Sequence, residues 1–116
     1  MFSSLKGGAT DAHPMHLVQF FLPLRDNAGH AFPRALFSEV RRELTARFGG
    51  VTTYLRAPAQ GLWEDDEGAV CQDEVVLFEV MDEDLDATWW KAYREALERR
   101  FAQERVLVRA SGTRSL

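Results

Sequence analysis

Two stretches of this chain place their apolar residues on a single helical arc, so each needs a flat apolar surface to lie on. In 34–48 these are Leu36, Phe37, Val40, Leu44 and Phe48, which fall within about 120° at 3.6 residues per turn. Trp89, Trp90, Tyr93, Ala96, Leu97 and Phe101 do the same further along. Strands supply such a surface, and the rest of the sequence carries four strand patterns. HLVQFFL at 16–22 is rich in β-branched and aromatic residues and closes at Pro23. Val51, Thr53, Leu55 and Ala57 alternate with Thr52, Tyr54 and Arg56 up to Pro58. A valine-rich run spans 73–81, and a last short strand spans 105–110. The order strand, helix, strand, strand, helix, strand predicts an α+β fold, the ferredoxin-like βαββαβ sandwich: a four-stranded antiparallel sheet with two helices on one face.

The helix ends are marked by chemistry. Pro33 suits a first turn, where its missing N–H would be unpaired anyway, and Gly49-Gly50 suits a last one, since glycine accepts a left-handed conformation. The acids at 82–86 favour the start of the second helix, with Asp84 or Asp86 as its N-cap. Arg47 falls inside the first helix's arc; its stem can pack while its charge reaches water. We expect a loosely held arm over 1–14, one domain over 15–110 and a tail over 111–116.

With 116 residues, 46% of them hydrophobic, the chain suits one core and needs neither metal nor disulfide to fold. A single cysteine, Cys71, precludes an internal disulfide. No segment approaches the ~20 consecutive apolar residues of a membrane span, and 1–12 lacks the basic start and apolar run of a signal peptide. The expectation is a soluble cytoplasmic protein without a cofactor. No basic residue stands between Arg56 and Lys91, whereas eleven acids do, from Glu64 to Asp86. One side of the molecule is therefore expected to be negative, which repels phosphates and disfavours nucleic acid.

Only one face of such a sheet is covered by its own helices. Alternation assigns Val18, Phe20, Leu22, Thr53, Leu55, Val76, Phe78, Val80, Val106 and Val108 to the helix side. Leu17, Phe21, Val75, Leu77 and Leu107 then fall on the open face with no expected intrachain cover, an apolar patch that predicts a homodimer. Isolated polar groups share that face: Gln19, Tyr54, Arg56, Glu79 and Arg109. They either line a pocket for a small anionic or carbonyl-bearing ligand, or complete the interface through a cross-strand pair of Glu79 with Arg56 or Arg109. Trp63, beside Gly61 in an irregular segment, either anchors its loop on the core or closes that pocket. Two functions follow. The first is a homodimeric small-molecule-binding protein with its ligand on the open face, held by Arg56, Tyr54, Glu79, Arg109, Gln19 and Trp63. The alternative is a regulatory or scaffolding module that binds another protein. No catalytic motif stands out.

Several motifs fail their chemistry. His13-x-x-His16 on a strand points its side chains to opposite faces, so no metal site is expected there. Asp82-x-Asp84-x-Asp86 copies half a calcium loop, but Ala87 stands where the turn needs glycine and Tyr93 where it needs a bidentate glutamate. Cys71 has no base beside it to make it a nucleophile. The third strand lacks the basic start and paired aromatics of an RNA-recognition sheet.

From Phe48 onward the chain resembles a small bacterial family classed as a domain of unknown function. The likeness rests on Phe48-Gly49-Gly50-Val51-Thr52, Gly61-Leu62-Trp63, Gly68, Glu74 before a valine-rich strand, Tyr93, and FAQERVLV at 101–108. Members of that family often look like exported lipoproteins, but no cysteine here is placed to carry a lipid, and the resemblance implies no activity. The overall plan is also similar to the dimeric α+β barrel proteins, a likeness of fold.

Overall fold

The protein is described by a computed structural model over residues 13–56 and 74–116. Its elements are β1 (His13–Pro23), α1 (Arg34–Phe48), β2 (Thr52–Arg56), β3 (Val75–Asp82), α2 (Ala87–Arg100) and β4 (Val108–Ser115). The strands form one antiparallel sheet in the order β2-β3-β1-β4, so the first and third strands are central. This is the α+β ferredoxin-like plan.

Local chemistry sets the helix ends. Pro33 caps α1 in an extended conformation, and the helix stops at Gly49, whose φ of 84° is left-handed and whose N–H donates to the Thr45 carbonyl. Asp86 caps α2 by accepting the Trp89 N–H at 3.0 Å. The Arg47 guanidinium leaves the last turn of α1, lies 4.2 Å from the Trp89 ring centroid and pairs with Asp86 at 3.9 Å. Its stem therefore packs, as its place in the arc requires.

The core sits between sheet and helices. Phe20 stacks on Phe78 with centroids 5.1 Å apart, and Trp90 and Tyr93 of α2 close over the Phe20 ring. Val18, Leu22, Val80, Val40, Leu44, Leu97 and Phe101, from the even strand positions and the helical arcs, complete it together with Val106 ahead of β4. No helix among the described residues is long and apolar enough to cross a membrane.

Three expectations are corrected. The strand placed at 105–110 runs instead from Val108 to Ser115, and the residues expected as a tail pair with the start of β1, Ser115 opposite His13. Ahead of it, the Val106 N–H is taken by Glu98 Oε2 and Ala102 turns the chain at φ 50°. The second half of β4 was hard to read because its residues are mostly exposed on an edge and need no apolar alternation. Leu55, assigned to the helix layer, is 68% exposed, because β2 is a short edge strand that contributes nothing to the core. Leu77, placed on an uncovered face, is 3% exposed within the single chain. It stands on β3 between Tyr54 and Phe21, so two aromatic neighbours flank it.

Candidate functional site

Antiparallel register arranges the open face in rows. One row holds Thr52, Glu79, Gln19 and Arg109, one residue from each strand. The next holds Tyr54, Leu77 and Phe21, and beyond it stand Arg56, Val75 and Pro23. On the other side of the polar row lie Met81, Leu17 and Ser111.

Three of the polar residues chosen from the sequence meet in the first row. Arg109 Nε donates to Gln19 Oε1 at 3.1 Å, and Gln19 Nε2 donates to Glu79 Oε2 at 2.5 Å. The amide thus relays between a cation on one edge strand and a carboxylate on β3. The Arg109 guanidinium also lies 5.4 Å from the Phe21 ring centroid, which ties the row to its apolar neighbour.

Of the direct pairs expected for Glu79, the one with Arg109 is not what forms. β1 lies between β3 and β4, so Gln19 separates Glu79 from Arg109. Thr52 is the residue opposite Glu79, with Arg56 four positions further along β2, roughly 13 Å at strand spacing. Tyr54 is 44% exposed in the middle row. The Arg56 side chain, Trp63 and Cys71 lie outside what is described. Three candidates are therefore brought together, Tyr54 stands one row away, Arg56 is placed two rows away by its backbone alone, and Trp63 lies outside the described residues.

The polar row separates two depressions. Toward the end where β1 stops is a cavity of about 620 Å³, whose lining includes Phe21, Val75 and Leu107 together with Arg25, Glu74 and Arg105. Toward the end of α1 is a second, about 520 Å³, bordered by Leu17, Thr52, Glu79 and Met81. The first combines apolar surface with charges of both signs. Arg25 is held at its edge by a turn: Asp26 Oδ1 accepts the N–H groups of His30 and Ala28 at 2.8 and 2.9 Å. The His30 amide, with the Ala28 amide and the His30 ring, holds the Asp26 carboxyl below the usual range.

Sequence reasoning assigns none of Arg25, Glu74 and Arg105 to a site. A signal existed, however, in the topology. The end of β1, the start of β3 and the approach to β4 must share one end of an antiparallel sheet, and all three carry a charged residue there.

No family model matches the sequence and no curated protein matches it, so the resemblance to a domain of unknown function is not carried further. Solved structures do match in shape. A phage SAM lyase in complex with S-methyl-5′-thioadenosine superposes with a TM-score of 0.56 at 14% identity, over 99% of this chain and 95% of that one. A phage SAM lyase in the apo state gives 0.52 at 15%, over 94% and 87%. At such identities the likeness establishes a shared α+β fold.

Proposed function

We propose that this chain binds a small nucleoside thioether or sulfonium, of the S-methyl-5′-thioadenosine and S-adenosylmethionine class, on its open sheet face. The observation that carries the reading is the cavity of about 620 Å³ at the end of β1. Its size lies within the range of small-molecule sites. Phe21, Val75 and Leu107 offer apolar surface for a base or thioether. Arg25 and Arg105 suit a carboxylate, and Glu74 suits an ammonium, which is the charge pattern of an amino-acid head. Beside them, the Arg109–Gln19–Glu79 row gives hydrogen-bonding groups and a carboxylate that attracts a sulfonium. The S-methyl-5′-thioadenosine bound in the similar phage lyase supports this choice of ligand class.

Arg56, Tyr54 and Trp63 remain part of the proposed site, and a homodimer through this face would close the cavity. Leu107 at 55% exposed, with Tyr54 and Met81, leaves apolar surface for that contact.

Thermal unfolding with each compound tests the reading. A ligand at 100 times its Kd adds about 2.7 kcal/mol, an obvious shift. Glu74→Gln with Arg105→Met should weaken S-adenosylmethionine more than S-methyl-5′-thioadenosine, which lacks the amino-acid head. Chromatographic release of S-methyl-5′-thioadenosine from S-adenosylmethionine would add lyase activity. No shift with either compound at millimolar concentration overturns the proposal and returns the chain to the protein-interaction alternative.

A further inference from the structure

A third cavity lies on the other side of the sheet, where the first half of α2 fails to close over β4. It measures about 220 Å³, the space of roughly seven waters. Val18, Trp90, Val108 and Ala110 give it apolar walls, and the charged residues that line it among the described residues, Lys91, Arg94 and Arg109, are all cations. Spacing explains how α2 contributes: Ala87, Trp90, Lys91 and Arg94 follow the i, i+3, i+4, i+7 pattern of one helical stripe. Leu85 borders the opening.

The cations are only partly answered by acids. Arg94 Nε is shielded from solvent and has no hydrogen-bond partner among the described residues. Among the described residues its nearest acid is Glu98, whose Oε2 stands 3.7 Å away, beyond hydrogen-bond distance, and already accepts the Val106 N–H at 2.9 Å. Glu95 reaches only the far nitrogen, Nη2, at 4.0 Å. Arg109 Nε is committed to Gln19 on the open face. Ion pairs as long as those of Arg94, on a side chain that is 39% exposed, hold it weakly, so an incoming anion can draw the Arg94 guanidinium to itself.

We infer that the gap between α2 and β4 is a binding site for a compact monocarboxylate with an aromatic or branched apolar body. Arg94 and Lys91 take the carboxylate, and the body lies against Trp90, Val18 and Val108. The site lies on the helix side of the sheet and shares only Arg109 with the open-face row.

Titration of the isotope-labelled protein with benzoate, followed by nuclear magnetic resonance, tests this. Saturable shifts are expected at the Val18, Val108 and Ala110 amides and the Trp90 indole, with a millimolar Kd. Benzyl alcohol, which keeps the ring and lacks the charge, should bind about 10-fold more weakly, as should benzoate to Arg94→Met. The comparison of the two compounds on the unaltered protein holds even if that variant does not fold. Absence of saturation by about 50 mM, equal affinity for benzyl alcohol, or shifts confined to the open face would each overturn the inference.

Discussion

On the helix-covered face, Phe20 and Phe78 stack at 5.1 Å while Trp90 and Tyr93 close over them. One residue away on the same strands, Gln19 and Glu79 share a hydrogen bond that continues to Arg109. The first face excludes water and depends on shape; the second depends on hydrogen bonds between groups that are only half-buried or exposed. Removing a side chain from the first leaves a hole that packed neighbours cannot fill. Removing a member of the polar row from the second lets water take its place, so that row, unlike the buried Leu77 beside it, can change its chemistry at little cost to the fold. This is what a ligand surface on a stable scaffold requires.

The largest expected effect is therefore at Phe20. Phe20→Ala should cost about 3–5 kcal/mol in urea unfolding, whereas Phe21→Ala, half-buried on the other face, should cost about 1 kcal/mol. Equal losses would break the comparison.

The outer side of the helix layer tests it next. Glu43 on α1 accepts the Tyr93 hydroxyl at 2.8 Å and both Arg100 guanidinium nitrogens at 2.8 Å, linking the two helices. Burial pushes the Glu43 carboxyl up, but the hydrogen bonds from Arg100 and Tyr93 outweigh it and leave the group below its ordinary value of 4.5. Burial, then the bond to Glu43, raise Tyr93 above its ordinary value of 10.0. Glu43→Gln should cost about 1–2 kcal/mol, partial exposure reducing the usual strength of a charge-assisted pair. Stability from Glu43 is present above pH 4.5 and is lost as pH falls through its lower folded value. Stability from Tyr93 is present below pH 10.0 and is lost as pH rises above it. Denaturation midpoints measured across pH should show both slopes in the wild type and a flatter acid limb in Glu43→Gln.

Asp86→Ala removes the N-cap of α2 and the Arg47 pair together and should cost about 1 kcal/mol, seen as a lower Tm. The smallest effect is expected at the polar row. Gln19→Leu breaks both of its hydrogen bonds but leaves Arg109 and Glu79 within reach of water, so the loss should stay near 0.5–1 kcal/mol while S-adenosylmethionine binding weakens. A loss above about 3 kcal/mol would mean that this row supports the fold as the core does.

Much of the architecture was readable from periodicity, because a one-sided helix and an alternating strand record which face meets the core. The 34–48 and 87–100 helices, the Pro33, Gly49 and Asp86 boundaries, and the even-numbered core positions of β1 all follow from local spacing and cap chemistry. The extension of β4 to Ser115 did not, since an exposed edge strand is held by backbone hydrogen bonds to β1 that no side-chain pattern reports. Gln19, Glu79 and Arg109 were legible as members of one face, but their order within it was not.

The sequence by itself determined the element order, the two helical arcs and the division of the strands into a covered and an open face. These depend on residues near one another in the chain, where the periods of helix and strand act directly. Only the tertiary structure decided that Gln19 stands between Glu79 and Arg109 and that Arg25, Glu74 and Arg105 share one cavity. It alone leaves Arg94 Nε shielded, without an acceptor among the described residues, beside the α2–β4 gap. Those arrangements are set by cross-strand register and by how far a helix reaches across the sheet, and such distances between remote segments leave no local period to read.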